Sequence, residues 1–240
     1  MLIVVTGSEG YIGSKLCVAL KERGHDVIRI DTVLGTRIED TEFKKVDLIF
    51  HLAAQADVQK SRVNPYWDAV NNIGSTISLI KKNPNTRIIY AASAASIDIN
   101  SPYGLSKKVC EDYIKLMCSD YVIVRIPNPW GDGGRGVIDY FLKADKIKVN
   151  GDGLQSRTIV HVNDIVRAFV QAIEWETGEY SLGGDERFNL TVKEIAERIA
   201  KKTSKEVIFD LTYDPKSKGE VFAAILPNTT PDWQPLIELV

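Results

Sequence analysis

The segment LIVVTGSEGYIG, residues 2–13, decides which fold we expect for this 240-residue chain. Its apolar run predicts a buried β-strand, and the residues after the glycines predict the start of a helix. Glycines at positions 7, 10 and 13 permit a tight turn and close packing of the helix on the strand. Such a turn presents the backbone amides of a helix N-terminus to a pyrophosphate. The GxxGxxG spacing differs by one residue from the GxGxxG dinucleotide fingerprint, and a turn that binds nothing is the competing interpretation.

Short apolar segments alternate with amphipathic ones along the first half of the chain. The strand candidates are LIVVTG, HDVIRID, DLIFHLA, RIIYAAS and YVIVRI, and the first helix candidate is YIGSKLCVALKERG. Buried strands separated by helices are typical of a parallel sheet covered by helices on both faces. The sequence therefore predicts an α/β fold with a doubly wound parallel sheet.

After Arg125 the pattern changes. The segment PNPWGDGGRG is rich in proline and glycine, and a polar, proline-containing segment begins at Asp214. Between them lie the helix candidates VIDYFLKAD, NDIVRAFVQAIEW and TVKEIAERIAKKTSK and the strand candidate IKVNGDG. We expect this half to form a smaller lobe whose segments are interleaved with the sheet.

The composition indicates a small-molecule ligand. The chain has 30 basic and 32 acidic residues and a net charge of -2, without the basic excess of nucleic-acid or membrane-surface binders. Its three cysteines form no CxxC pair, and its three histidines lack ligand spacing, so we expect reduced thiols and no metal site. The apolar start MLIVVTG is too short to span a membrane and lacks the features of a signal peptide. We therefore expect a cytoplasmic protein.

Asp31 ends the second strand candidate and strengthens the dinucleotide interpretation. It lies about where an acidic residue contacts the adenosine ribose hydroxyls. Because a carboxylate repels a 2'-phosphate, Asp31 favours NAD over NADP. A turn-forming aspartate at the end of a strand is the alternative.

Tyr103 and Lys107 are four residues apart in SPYGLSKK, residues 101–108, and so lie on one face of a predicted helix. A free tyrosine has a pKa of about 10. We expect the lysine ammonium to favour the phenolate and so to lower the pKa of Tyr103. The tyrosine would then accept a proton from an alcohol while hydride leaves the same carbon. An exposed aromatic residue beside a solvated lysine is the alternative.

A hydroxyl group follows the strand candidate RIIYAAS. Ser93 lies where this strand leaves the sheet, on the ligand side of open α/β folds. It would hydrogen-bond the substrate oxygen that Tyr103 deprotonates. Ser96 and Ser101 are rivals that their spacing leaves open.

Several further segments, in the same order, resemble one family. The chain resembles the extended short-chain dehydrogenases/reductases, in particular the NAD-dependent sugar-nucleotide epimerases and dehydratases. The resemblance rests on TGSEGYIG with Asp31, FHLAAQADVQKS (50–61), NNIGST (71–76), YAASAAS (90–96), SPYGLSKK, VRIPNPWG (124–131), GDGLQSRTIVHVNDIVRA (151–168) and DWQP (232–235).

The resemblance implies a role for individual residues. It implies Tyr103 as the acid/base, Lys107 as its partner, and Ser93 as the substrate-side hydroxyl. Cofactor contacts are implied for Gly7, Gly10, Tyr11, Ile12, Gly13, Asp31, Leu52, Ala53, Ala54, Tyr103 and Lys107. Asn128 and Arg157 match residues that contact the diphosphate of a nucleotide sugar; a turn residue and a surface ion pair are the alternatives.

The resemblance also implies a division of the chain. Residues 1–128, with a returning segment at about 157–176, would form an NAD-binding Rossmann domain. Residues 129–156 and 177–240 would form a small C-terminal substrate-binding lobe. Homodimers are common in the family, and the helices around 62–82 and 104–119 are the candidates for the interface.

The residues after Ser93 bear on the type of reaction. Family members that dehydrate sugars carry an acidic pair there, whereas this chain has Ala94 and Ala95. The resemblance therefore implies a nucleotide-diphosphate-sugar 4-epimerase of the UDP-galactose 4-epimerase kind, working through a transient 4-keto sugar. A reductase or dehydrogenase of a nucleotide sugar or related alcohol is the alternative, and a non-catalytic NAD-binding sensor is the third hypothesis. The chain departs from the family at Ile97 and Asp98, where the family usually reads YG, and in its short connection from Ser93 to Tyr103.

Overall fold

The computed structural model describes residues 1–41, 43, 45–213 and 223–239, with Ala223 and Ala224 described by their backbone alone. Residues 214–222, where the polar segment that begins at Asp214 starts, lie outside the described residues. The chain divides into two compact units. Unit 1 comprises residues 1–125 and 166–180, and unit 2 comprises residues 126–165 and 181–240.

Unit 1 is built on a six-stranded sheet. Its strands are β1 (Leu2–Thr6), β2 (Asp26–Ile30), β3 (Leu48–His51), β4 (Arg87–Ser93), β5 (Tyr121–Ile126) and β9 (Gly178–Ser181), in the order β2-β1-β3-β4-β5-β9. Strand β1 pairs in parallel with β2 and β3, and β3 pairs in parallel with β4. Ile3, Val4 and Val5 are fully buried, which explains why a continuous apolar run forms this strand. The predicted α/β fold with a large parallel sheet is confirmed.

The helices of unit 1 follow the predicted alternation. They are α1 (Tyr11–Glu22), α2 (Val58–Val63), α3 (Pro65–Ala69), α4 (Ser75–Lys82), α5 (Pro102–Met117) and α7 (Val162–Gln171), which continues from unit 2. Helix α5 begins at a Ser101 cap, whose side chain accepts a hydrogen bond from the Gly104 N–H at 3.1 Å, and has Pro102 in its first turn. A π-helical turn, Val70–Gly74, joins α3 to α4. None of the helices in the described ranges is long and apolar enough to cross a membrane.

The described residues of unit 2 form smaller sheets and two helices. Its elements are β6 (Asn128–Trp130), α6 (Val137–Lys143), β7 (Ile147–Asn150), β8 (Ser156–His161), β10 (Asn189–Thr191), α8 (Val192–Thr203), β11 (Val207–Asp210) and β12 (Ala223–Ala224). Strand β8 pairs with β6, β10 and β12, and β7 pairs with β11. Helix α8 begins with a capping box formed by Thr191 and Glu194.

The bounds of the units differ from the division expected from the sequence. Residues 126–128 and 157–165 belong to unit 2, and residues 177–180 belong to unit 1. The physical reason lies in strand pairing. Strand β8 hydrogen-bonds to β6 and β10, whereas β9 is the edge strand of the six-stranded sheet.

Buried polar contacts hold the segment DWQP in unit 2 and join α5 to β5 in unit 1. In unit 2, the indole N–H of the fully buried Trp233 donates to the Asp164 carbonyl at 3.0 Å. The Asp164 carboxylate accepts from the backbone N–H groups of Leu236 and Ile237, both at 2.8 Å. In unit 1, the Arg125 guanidinium donates to the fully buried Glu111 carboxylate at 3.1 and 2.6 Å.

The Glu111–Arg125 pair generates a stability prediction. Arg125→Met leaves the Glu111 carboxylate buried without its cation, so we expect the free energy of unfolding to fall by about 3 kcal/mol. Urea unfolding followed by circular dichroism measures the change. Lys146→Met is the control, because the Lys146–Glu206 pair is exposed on both sides and its loss should change little. Equal stability of Arg125→Met and the wild type would contradict the assignment.

Candidate active site

The glycine-rich turn between β1 and α1 brings two backbone segments unusually close. Gly7 has a φ of +70°, and a Cβ atom on it would lie 2.7 Å from the Ala53 backbone nitrogen. A Cβ atom on Gly13 would lie 2.1 Å from the Gly7 carbonyl oxygen. Only glycine fits either position, so the turn folds tightly between α1 and the residues after β3.

The first turn of α1 suits an anion. Its N-cap, Gly10, has no side chain to accept a hydrogen bond from the first amides, and the turn contains no acidic residue. Tyr11 and Ile12 are the first two helical residues. The positive end of the helix dipole at such an N-terminus favours phosphate groups. These residues and the glycine turn thus fit the pyrophosphate of a dinucleotide, and their cofactor contacts stay predictions.

Asp31 directly follows β2 and is tied to the same turn. Its Oδ2 accepts a hydrogen bond from the Glu9 N–H and its Oδ1 from the Val33 N–H, both at 3.0 Å. Each carboxylate oxygen has a second lone pair, so Asp31 keeps acceptor capacity for ribose hydroxyls. The sequence identified Asp31 as a candidate, whereas its hydrogen bond from Glu9 is visible only in the structure.

Leu52, Ala53 and Ala54 leave the end of β3 beside this turn. The Leu52 N–H donates to the Thr6 carbonyl and the Ala53 N–H to the Thr6 hydroxyl, both at 3.2 Å. The three residues therefore lie next to the end of β1. Their contact with the cofactor stays a prediction of the resemblance, and their closeness to Thr6 at the end of β1 supports it.

His51 is a buried polar residue that the sequence did not single out. Its Nδ1 lies 2.8 Å from the Thr6 hydroxyl and its Nε2 lies 2.9 Å from the Thr76 hydroxyl. Because Thr76 donates to the Asn72 carbonyl, Nε2 carries the proton and Nδ1 accepts from Thr6. Burial, followed by the charge of Lys107, lowers the pKa of His51 to about 3. The imidazole is therefore a neutral bridge between β3 and α4.

Ser93, Tyr103 and Lys107 come together in unit 1. Ser93 ends β4, Tyr103 is the second residue of α5, and Lys107 follows one turn later. The Ser93 hydroxyl lies close enough to the Tyr103 phenol to lower its pKa. The Tyr103 backbone N–H donates to the Ser61 hydroxyl at 3.1 Å, which positions the first turn of α5. The arrangement can transfer a proton to or from an alcohol oxygen.

The two rivals of Ser93 are engaged elsewhere. The Ser101 hydroxyl caps α5, as described above. The Ser96 hydroxyl contacts the Ser93 carbonyl at 2.7 Å and the Glu111 carboxylate. Ser93 is the serine among the three that shifts the pKa of Tyr103.

The direction of the Tyr103 pKa shift differs from the one expected for a tyrosine beside Lys107. Burial raises the pKa of Tyr103, and the neighbouring Ser93 hydroxyl only partly opposes this rise. The Lys107 ammonium donates to the Ala91 carbonyl at 2.7 Å and lies 4.6 Å from the centre of the Tyr90 ring. Burial lowers the pKa of Lys107 to about 8. The expected lowering of the Tyr103 pKa by Lys107 is therefore wrong for the chain itself, because desolvation dominates.

Asn128 and Arg157 both lie in unit 2, on paired strands. The Asn128 side chain donates to the Thr158 carbonyl at 2.9 Å, and Asn128 is opposite Ile159 in the β6–β8 pair. Arg157 lines a cavity of about 290 Å³. The cavity is lined by Val137, Tyr140, Phe141, Lys148, Asn150, Gln155, Arg157 and Val192.

Gln155 is a further residue that sequence reasoning missed. It is buried, and its Oε1 has no hydrogen-bond partner among the described residues. Since a buried amide oxygen normally has a donor, this one suits a ligand in the cavity. Its position in GDGLQSR, two residues before Arg157, is a signal that could have identified it. In the described part of the chain, no group of three or more His, Cys, Asp or Glu residues is arranged to bind a metal.

Comparisons with known proteins agree on one family. Residues 3–183 match the profile of the NAD dependent epimerase/dehydratase family. A Methanocaldococcus jannaschii protein, provisionally assigned as a UDP-glucose 4-epimerase, is 30% identical over 305 residues, covering 99% of this chain and 94% of the relative. A Pseudomonas aeruginosa UDP-2-acetamido-2,6-beta-L-arabino-hexul-4-ose reductase is 26% identical over 220 residues, covering 83% of this chain and 57% of the relative. UDP-glucose 4-epimerase from Thermotoga maritima, solved with UDP-glucose, has a TM-score of 0.88 at 27% identity, covering 100% of this chain and 95% of that one.

The glycine turn generates a binding prediction. Gly13→Ala forces the Gly7 backbone to move, so we expect NAD affinity to fall at least about tenfold, with a stability loss of about 1–3 kcal/mol. Isothermal titration calorimetry with NAD measures the first effect, and urea unfolding measures the second. Gly74→Ala is the matched control, because a Cβ atom there meets nothing within 4 Å. NAD affinity in Gly13→Ala equal to that of the wild type would argue against the turn as the pyrophosphate site.

Proposed function

The chain belongs to the NAD-dependent epimerase/dehydratase family, and from this we propose that it is a 4-epimerase of a nucleotide-diphosphate sugar. The observation that carries the proposal is the placement of the Ser93 hydroxyl, at the end of β4, beside Tyr103 in the first turn of α5, with Lys107 one helical turn further along. Ala94 and Ala95, where sugar dehydratases of the family carry acids, favour epimerisation over dehydration.

Tyr103 acts as the acid/base in this proposal. It accepts the proton of the sugar C4 hydroxyl in the first half of the reaction and returns it in the second. The glycine turn and Asp31 would hold NAD, which would supply a hydride acceptor and donor for C4 of the sugar. The Ser93 hydroxyl acts to lower the pKa of Tyr103, against the larger effect of burial, and so favours the phenolate that the first half requires. The neutral phenol, which burial favours, is the form that the second half requires.

The cavity of unit 2 is the proposed site for the nucleotide diphosphate. Its volume of about 290 Å³ is close to the lower bound of about 300 Å³ for ligand pockets. Arg157 and Lys148 line it and carry the positive charge that a diphosphate requires. Gln155 supplies a buried acceptor for an N–H donor of the ligand. Asn128, on the strand beside β8, is the proposed sugar-diphosphate contact.

A reductase or dehydrogenase of a nucleotide sugar is the second candidate. The similarity to the Pseudomonas aeruginosa reductase supports it. Such an enzyme would consume or produce NADH, whereas an epimerase regenerates NAD in each cycle. A non-catalytic NAD-binding sensor is the third, and the Ser93–Tyr103 pair argues against it, since a sensor needs no proton-transfer group.

We also propose a cytoplasmic location. The three cysteines are all free and buried, which is typical of proteins from a reducing compartment.

A homodimer is the proposed assembly, and it generates a prediction. Val63, Tyr66, Trp67 and Val70 of α2, α3 and the π-helical turn are exposed apolar residues, with Tyr66 79% exposed. Exposed apolar side chains concentrated in one short segment favour association with a second copy. We expect light scattering to give twice the chain mass, and Tyr66→Glu to give the monomer. Leu211→Glu, at another exposed apolar position, is the control and should stay dimeric. A monomeric wild type would contradict the proposal.

The epimerase assignment is tested with native protein and nucleotide sugars. The purified protein is incubated with UDP-glucose, UDP-galactose, their uronic acids and their N-acetyl forms, and the sugars are identified by NMR. We expect interconversion at C4 without added cofactor. Tyr103→Phe should lower the rate at least about 100-fold, because it removes the acid/base group. Tyr113→Phe, on the same helix, is the matched control and should retain activity.

Other results would select the alternatives. Oxidation or reduction that occurs only with supplied NAD or NADH would indicate the second candidate. Bound NAD without turnover of any sugar would indicate the sensor. Full activity of Tyr103→Phe would exclude Tyr103 as the acid/base.

A further inference from the structure

A buried carboxylate with no assigned role lies beside the Ser93–Tyr103–Lys107 cluster. Asp68, on α3, is 1% exposed. Its Oδ1 accepts from the Gln55 side-chain amide at 2.8 Å and from the Asn72 side-chain amide at 3.2 Å. Its Oδ2 is buried without a hydrogen-bond partner among the described residues. A buried carboxylate is costly unless a donor or a cation compensates it, so this oxygen requires an explanation.

Hydrogen bonds connect Asp68 to the backbone of Tyr103. Asn72, which donates to Asp68, also contacts the Ser106 hydroxyl at 2.9 Å. The Ser106 hydroxyl donates to the Tyr103 carbonyl at 3.0 Å. On its other side, Asn72 Oδ1 accepts from the Gln55 N–H at 2.8 Å. The network therefore joins Asp68 both to the first turn of α5 and to the segment that follows Ala54.

Lys107 is the buried cation of this cluster. It is 3% exposed, and its described contacts are the Ala91 carbonyl and the face of the Tyr90 ring. Neither carries a negative charge. Burial therefore disfavours its ammonium form, and three groups oppose this effect, namely Cys110, Glu111 and Asp68.

Two of these three groups are not free to balance the lysine. The Glu111 carboxylate already pairs with the Arg125 guanidinium at 2.6 Å. Burial raises the pKa of the Cys110 thiol, so it is neutral at neutral pH. The remaining groups near Lys107 are His51, Tyr90 and Tyr103, which are neutral because burial disfavours their charged forms. Asp68 is left as the carboxyl group without a cationic partner among the described residues, and Asn72 connects it to Ser106, the residue before Lys107.

We propose that Asp68 is the counter-charge that keeps Lys107 protonated, and so a positioning residue for the Tyr103–Lys107 pair. Its Oδ2 has no local donor, so its charge acts on Lys107 through a water-poor interior, where charge interactions are stronger than in solution. The consequence for sugar turnover rests on the proposed function, whereas the charge state of Lys107 does not.

Asp68→Asn tests this proposal directly, because it removes the charge and keeps an amide oxygen for Gln55 and Asn72. The Lys107 side chain is followed by NMR in ¹³C-lysine-labelled protein without substrate, with its resonance assigned from a Lys107→Met sample. We expect the pKa of Lys107 to fall from about 8 by about one unit, a tenfold change in the ratio of ammonium to amine at a given pH. Asp112→Asn is the control. It removes an exposed carboxylate from α5, the helix that carries Lys107, and should leave the titration of Lys107 unchanged.

Two further variants separate charge from packing. Asp68→Glu keeps the charge and should restore much of the wild-type titration. If Asp68→Asn does not fold, Asp68→Ser replaces it in the same titration. An unchanged Lys107 titration in a folded Asp68 variant without charge would overturn the proposal.

Activity measurements distinguish this inference from the proposed function. If the chain is an epimerase, the alkaline limb of its kcat profile in Asp68→Asn should move to lower pH with the lysine titration. A shifted titration with no sugar turnover in the wild type would uphold the role of Asp68 and reject the epimerase. Turnover in the wild type with an unshifted titration in Asp68→Asn would uphold the epimerase and reject the role of Asp68.

Discussion

The close approach of Gly7 to the Ala53 backbone is the constraint on which the candidate cofactor site depends. It holds the end of β1 against the residues after β3, and Thr6 hydrogen-bonds to both Leu52 and Ala53 there. Any side chain on Gly7 would separate these segments. The same turn receives the Asp31 carboxylate through the Glu9 N–H, so three strand ends converge at one place.

Burial is the second organising influence, because it sets the protonation of each group near α5. His51 and Tyr103 are held neutral, and Lys107 is brought to a pKa of about 8, within reach of physiological pH. Charges in this interior persist only where a partner exists. Glu111 has Arg125, and Asp68 is the proposed counter-charge of Lys107.

Much of the fold and of the candidate site followed from local patterns. The apolar runs that became β1 to β5 lie in one sheet, in which β1, β3 and β4 are largely buried, and this pattern needs no long-range information. Except for β7, which the segment IKVNGDG had indicated, the short strands of unit 2 were missed for the opposite reason. β8, for example, is a strand because β6 and β10 pair with it, and it lacks the apolar run of a central strand.

The sequence by itself determined the identity of the parts: a glycine turn, an acid after β2, a serine after β4, and a tyrosine and lysine one turn apart. These depend on spacing along the chain, which is visible without coordinates. Only the tertiary structure decided the charge state of those residues and which other residues surround them. The direction of the Tyr103 pKa shift, the neutral bridge at His51 and the unpaired oxygen of Asp68 all arise from burial and from partners distant in sequence. Desolvation depends on what surrounds a group in three dimensions, and spacing along one segment carries no measure of it.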